Sequence, residues 1–346
     1  MINLFTLLAL LLGCTTLSVT TNKKFIQPNN ENIVVEGAFF VEKSSERVII
    51  NRFSNEFLTD KKTFANSLKA NTQSGVSISF STNSAAVSVF FEERDDAQHR
   101  QKVFGIFKNG EFLKKVTGLE FTLENQNKND FVEWKIVLPT FCGIHFKGIE
   151  IDGNSELKKI ETKQKPVYVA IGNSITHGVG QNGASYLSYP FLLAQQKNWR
   201  LYNLAIGGSK ISWPVAKLLE NKKVDVITVL WGYNDWNSAF TIENEIKPYY
   251  KKLVSELRKA QPEAKIYCIL PTTSKSATPK NGTDSLEDIR NAEHDIIRGF
   301  QQKGDSKLFI INGKELTTVD DLNDNVHLNI DGAAKFAKEL SKLIDL

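Results

Sequence analysis

The sequence predicts an antiparallel β-sandwich followed by an α/β unit built on a mostly parallel sheet. Three observations carry this expectation. Residues 25–160 keep a period of two with turn signals between short runs, as half-buried strands do. From residue 167 onward, apolar β-branched runs alternate with helical patterns, the grammar of a parallel sheet covered on both faces. Between them lies a polar, charged stretch, 154–165, ending at Pro166 and read as a linker. The expected layout is a leader over 1–22, a sandwich over 23–160 and an α/β domain over 161–346.

The leader begins with an apolar run, 1–12, too short to span a bilayer and of the length of a signal-peptide core. It ends in Leu11-Leu12-Gly13-Cys14, which resembles the bacterial lipoprotein signal; that resemblance implies cleavage before Cys14, diacylation of its thiol and display at the bacterial envelope. Met1-Ile2-Asn3 has no Lys or Arg, a departure from that pattern, and the alternative is an ordinary cleaved signal on a secreted protein.

In the sandwich, the strand candidates in order are 33–41, 46–53, 75–80, 86–91, 103–107, 112–113, 120–124, 132–138 and 143–151. Asn109-Gly110 between two of them accepts the positive φ angles of a type I′ hairpin turn. In the α/β domain, strands are expected at 167–171, 200–205, 224–231, 265–270 and 307–311, with the clearest helices at 242–260, 285–302 and 332–346. Functional groups are then expected at the carboxyl ends of these five strands.

Composition narrows the function classes. Hydrophobic residues make up 41% and charged residues 24% of 346, an ordinary globular balance. Lys+Arg 43 against Asp+Glu 39 leaves +4, and no basic run is interleaved with aromatics, so nucleic acid is not an expected partner. Cys142 and Cys268 fall in different domains and read as buried small hydrophobes rather than a disulfide. The five histidines, His99, His145, His177, His294 and His327, share no metal-ligand spacing, so neither metal nor cofactor is expected.

Four strand ends carry chemistry. After the first comes Gly172-Asn173-Ser174; after the second, N-L-A-I-G-G-S over 203–209; after the third, W-G-Y-N-D over 231–235; after the fifth, D-N-V-H over 324–327. Taken singly, Ser174 reads as a helix cap, Gly208 as a turn glycine, Asn234 as a loop cap and Asp324 as a surface acid. Together, and in this order, they resemble the SGNH (GDSL-type) hydrolases over residues 166–346. That resemblance implies a flavodoxin-like three-layer domain with a five-stranded parallel sheet. It places the nucleophile on Ser174, the second-block glycine on Gly208, the third-block asparagine on Asn234 and the last block on Asp324 and His327. The family's usual aspartate before the serine is Asn173 here, which bears on local hydrogen bonding rather than on the catalytic acid.

The chemistry fits these residues. A serine hydroxyl needs a base within hydrogen-bond reach, which His327 supplies, while Asp324 three residues earlier holds the ring in the accepting tautomer. The amides of Ser174 and Gly208 and the side-chain NH2 of Asn234 are the expected oxyanion donors. His177 is read as pointing away from the pocket or lining its rim. Tyr233, Trp236 and Trp213 are candidate sugar-stacking residues, with buried or rim packing the alternative for each.

A sandwich before such a domain resembles carbohydrate esterase family 2, in which a jelly-roll precedes the hydrolase. That resemblance implies removal of O-acetyl groups from poly- or oligosaccharides, with no membrane contact beyond an anchor on Cys14. Two alternatives stand beside it: a lysophospholipase or general short-chain acyl esterase of the same fold, and a glycan-binding envelope protein with a decayed hydrolase domain.

Overall fold

The computed structural model describes residues 22–127, 130–161 and 164–346. The lipoprotein motif and Cys14 lie outside the described residues. Among the described residues, no helix is long and apolar enough to cross a membrane.

The sandwich is built from β1 (Lys23–Ile26), β2 (Val34–Glu36), β3 (Phe40–Lys43), β4 (Val48–Asn51), β5 (Ser77–Thr82), β6 (Ala86–Glu93), β7 (Val103–Lys108), β8 (Glu111–Thr117), β9 (Glu120–Glu124), β10 (Val132–Val137), β11 (Ile144–Asp152) and β12 (Leu157–Lys158). One sheet runs β3-β4-β11-β6-β9 with β1 added to β11; the other runs β12-β5-β10-β7-β8 with β2 added to β5. Alternation makes this possible. In β6, Val87, Val89 and Phe91 point inward to meet Phe104, Ile106, Trp134 and Ile136 of the facing sheet. Asn109 and Gly110 both take positive φ, 51° and 87°, as the hairpin reading required.

Three expectations need correcting. The predicted strand 33–41 breaks into β2 and β3, because Gly37 takes φ 92° and sits against the backbone of Gly75 and Leu201. The segment read as a linker contributes β12, whose Leu157 pairs with Thr82. Helical turns α1 (Asn55–Thr59) and α2 (Ser67–Ala70) interrupt the sandwich, capped by Ser54 and Asn66, and were not expected.

The α/β layers hold β13 (Val167–Gly172), β14 (Arg200–Ala205), β15 (Val226–Leu230), β16 (Lys265–Leu270) and β17 (Leu308–Asn312) in the parallel order β14-β13-β15-β16-β17. Every residue of β15 is buried, as a central strand covered on both faces demands. Helices α3 (Ser174–His177), α4 (Tyr189–Lys197), α5 (Tyr233–Asn237), α6 (Lys247–Ala260), α7 (Leu286–Gln302) and α8 (Ile330–Leu343) complete the unit. In α6 the buried residues Tyr250, Leu253, Val254 and Leu257 recur at three and four, one stripe of the helix. Each such fully buried apolar side chain contributes about 1.5–3 kcal/mol. The α7 terminus is set by a capping box between Ser285 and Asp288.

The sandwich packs on the α/β unit through the outer face of β7 and β10: Phe107 and Val137 join the α/β core rather than the sandwich core. Gly105 leaves room for the Tyr186 ring, and Thr140 N donates to Gly183 O at 3.0 Å.

Candidate active site

Ser174 opens α3 directly after β13. The strand-to-helix turn is sharp because Gly172 has no side chain: a β-carbon there would strike Thr176 Oγ1 and Leu230 O. Asn173 caps the turn, its Oδ1 accepting from Ile175 N at 3.0 Å, the bond an aspartate would also make. Ser174 remains 9% exposed.

His327 approaches from the loop before α8. Its Nε2 lies 2.7 Å from Ser174 Oγ and its Nδ1 lies 2.7 Å from Asp324 Oδ2. The other carboxylate oxygen, Oδ1, accepts from the amides of Val326 and His327, each at 2.9 Å. Burial opposes the Asp324 charge, but these two amides and the imidazole outweigh it and hold the carboxyl below its usual range. Asp324 therefore stays ionised at neutral pH, which favours the tautomer with a proton on Nδ1 and a free lone pair on Nε2 facing the serine.

The opposite wall is the turn after β14. Gly208 takes φ 86°, and Gly207 lies against Ser174, a β-carbon on it falling 4.0 Å from Ser174 Cβ. Asn234, on α5, donates from Nδ2 to Ser209 O at 2.9 Å, which ties it to the loop carrying Gly208. The same loop is anchored by Ser209 Oγ donating to Gly172 O at 3.2 Å and by Asp235 Oδ1 accepting from Ile211 N at 3.0 Å.

Two residues support this wall in roles that the sequence reading did not assign. His177 is fully buried, not on a rim. Its Nδ1 accepts from Gly207 N at 3.1 Å, so its proton sits on Nε2, 3.1 Å from Thr72 Oγ1. Burial first, then the charges of Arg52 and Lys69, push its pKa well down, so the ring stays neutral and keeps accepting. Arg52, immediately after β4, donates to Asn203 O at 2.7 Å, Ala205 O at 2.8 Å and Thr72 O at 2.7 Å, and burial lowers its pKa to about 9. No local motif marks either residue, since their partners lie far along the chain.

The stacking expectation is corrected for Trp236. It is 1% exposed and its indole Nε1 donates to Asp284 O at 2.9 Å, a packed residue beneath the loop. Tyr233 is buried against it, ring centroids 5.6 Å apart. Trp213 is partly buried beside Tyr249, with Lys252 Nζ 4.8 Å above its ring.

Cys142 and Cys268 are buried free thiols. Among the described residues, the potential metal ligands that cluster are Glu93, His99 and Cys142, in the sandwich. They suit a metal poorly: Lys102 Nζ already holds Glu93 at 2.6 Å, and burial, with Glu93 beside it, pushes the Cys142 thiol up to about 11.

The sequence profile of the GDSL-like Lipase/Acylhydrolase family matches residues 170–335, a span that holds Ser174, Gly208, Asn234, Asp324 and His327 together. These residues form a GDSL-like lipase/acylhydrolase domain. A cellulase/esterase of Acetivibrio thermocellus is 22% identical to 58% of the chain, and the aligned part spans about a quarter of that relative, 27%. Among solved structures, a salicylyl-acyltransferase from a tetracycline biosynthetic pathway superposes with TM-score 0.77 at 17% identity, covering 93% of this chain and 97% of the other. A family two carbohydrate esterase from Clostridium thermocellum, solved with cellohexaose, has TM-score 0.66 at 17% identity over 90% and 98%. An acetyl xylan esterase from the rumen bacterium Butyrivibrio proteoclasticus has TM-score 0.67 at 14% identity over 93% and 97%. These likenesses span the sandwich and the α/β unit together, so the chain shares the two-domain fold of these structures.

Proposed function

We propose that this acylhydrolase is a serine esterase that removes O-acetyl groups from carbohydrates through Ser174, His327 and Asp324. The observation that carries the reading is the relay in which Ser174 Oγ meets His327 Nε2 and His327 Nδ1 meets Asp324, both at 2.7 Å. As Oγ bonds to the ester carbonyl carbon, its proton passes to Nε2 and the carbonyl π pair moves onto oxygen, beside the amides of Ser174 and Gly208 and the Asn234 NH2. Collapse of this intermediate breaks the bond to the sugar oxygen, which leaves with the proton from Nε2. Water then repeats the sequence on the acetyl-serine, and acetic acid departs.

The carbohydrate esterases among the structural neighbours support a sugar ester as substrate. The intact relay favours an active enzyme over a decayed glycan-binding domain, and the general short-chain esterase remains the rival of the same chemistry. Export, and lipidation at Cys14, belong to the same proposal and rest on the leader sequence alone.

A panel of acetylated oligosaccharides and p-nitrophenyl esters of graded chain length, assayed with wild type and Ser174→Ala, tests the reading. Acetate release from one glycan class, falling by about four orders of magnitude or more in Ser174→Ala, is the expected result. Hydrolysis unchanged by Ser174→Ala sinks the mechanism; a preference for long acyl chains over acetylated sugars sinks the substrate class.

A further inference from the structure

We propose that Lys69, contributed by the sandwich, is a further catalytic residue whose ammonium stabilises the oxyanion formed at Gly208. The proposal rests on the esterase reading above and adds a residue that lies outside the 170–335 family span.

The backbone of Lys69 is held in place from several sides. It lies in α2, whose cap Asn66 accepts from Lys69 N at 3.1 Å. Its carbonyl accepts from Thr72 Oγ1 at 2.8 Å and from Arg52 Nη2 at 3.4 Å, and the Ala70 carbonyl accepts from Arg52 at 3.3 Å. The side chain then runs along the glycine turn of the GDSL-like domain. A β-carbon on Gly207 would lie 3.5 Å from Lys69 Cδ, and one on Gly208 would lie 3.5 Å from Lys69 Nζ. The same position on Gly207 is 4.0 Å from Ser174 Cβ. Nucleophile, glycine pair and ammonium therefore share one small space, and the two glycines are what leaves it open.

The charge is uncommitted. Among the described residues, no carboxylate pairs with Lys69 and no side chain or carbonyl accepts from its Nζ. The neighbouring cation differs: Lys210 Nζ rests over the rings of Phe64 and Phe240, at 5.4 and 5.0 Å. The Lys69 field already reaches this wall, since it adds to the depression of the His177 pKa. A partly buried, unpaired ammonium beside the oxyanion turn acts where negative charge appears only as Oγ bonds to carbon, so it favours the transition state over bound ester.

The test uses the full chain with Lys69→Met, which keeps the stem and removes the charge, and Lys69→Arg, which keeps the charge. Two neutral probes are read: turnover of p-nitrophenyl acetate, and phosphorylation of Ser174 by diethyl p-nitrophenyl phosphate, followed by p-nitrophenolate release and adduct mass. Lys69→Met is expected to lower kcat and the phosphorylation rate by about tenfold to a hundredfold, with KM changed by less than about threefold, and Lys69→Arg to recover most of the loss. Rates within about twofold of wild type in Lys69→Met overturn the proposal while leaving the esterase reading standing. Equal losses in both variants, with a lowered melting temperature, reduce Lys69 to packing and overturn it as well. A rise in KM for p-nitrophenyl acetate with kcat and the phosphorylation rate unchanged overturns it in favour of substrate binding. A wild type that neither turns over the ester nor is phosphorylated at Ser174 removes the esterase reading and this proposal together.

Discussion

The two walls of the site are built by opposite means. The proposed acid–base wall is local: Asp324 and His327 lie within one loop, Asp324 accepts from the amides two and three residues on, and its side chain is 49% exposed. The proposed oxyanion wall is assembled from afar and sealed. Gly207 hangs on His177, the end of β14 hangs on Arg52, and both of those supports are fully buried. Water can replace part of what Asp324 does, but nothing in the interior can replace the acceptor that His177 offers to the Gly207 amide. The oxyanion wall should therefore be the less forgiving of the two, although none of its supports touches the scissile bond.

Three substitutions probe that difference. His177→Leu should cost the most, lowering kcat by about a hundredfold with KM little changed, together with a drop in melting temperature, because the glycine turn loses its anchor. Asp324→Ala should cost about tenfold in kcat with only a small drop in melting temperature, because solvent reaches this position and water can accept from His327 Nδ1 and from the Val326 amide in place of the carboxylate. A larger loss in Asp324→Ala than in His177→Leu would reverse the ranking of the walls.

The smallest effect concerns stability, and again separates the walls. Beneath Asn234, burial pushes the Asp235 carboxyl up to about 7, and burial and Asp235 raise that of Glu293, whose carboxylate oxygens find no partner among the described residues. From about pH 4 to pH 7 the folded protein holds protons that the unfolded chain has released, so stability falls as pH rises, by up to about 1.4 kcal/mol per unit for each group. Glu293→Gln, neutral at every pH, should raise the melting temperature at pH 8 by a few degrees and leave it almost unchanged near pH 5. An equal shift at both pH values would show that the carboxyl is not carrying the effect. Asp324, whose pKa is lowered, has the opposite sign: its contribution is present above about pH 4 and fades as pH falls through the folded value.

The same contrast explains what could be read from the sequence. Asp324 and His327 were legible because three residues of spacing suffice to bring them together, and Ser174, Gly208 and Asn234 because each follows a recognisable strand. Trp236 was left open between sugar stacking and burial, since aromatic identity does not tell which side of a short helix faces the interior; the structure decides for burial. Arg52, His177 and Lys69 were invisible in their supporting roles: the Arg52–Ala205 bond spans 153 residues and no local pattern announces it. In the sandwich, β1 and β12 were missed because two to four residues rich in lysine carry no alternation, and pairing with a neighbour alone makes them strands.

Arg52 has one more consequence. β14 is the outermost strand of its sheet, and an outermost strand leaves alternate carbonyls open to any passing chain. The guanidinium bonds the carbonyls of Asn203 and Ala205, two residues apart on the same edge, as the amides of an adjoining strand would. A side chain can do this without offering a further edge of its own. The sheet is thereby ended, and the neighbouring layer serves as a stopper against strand-by-strand aggregation of the folded protein.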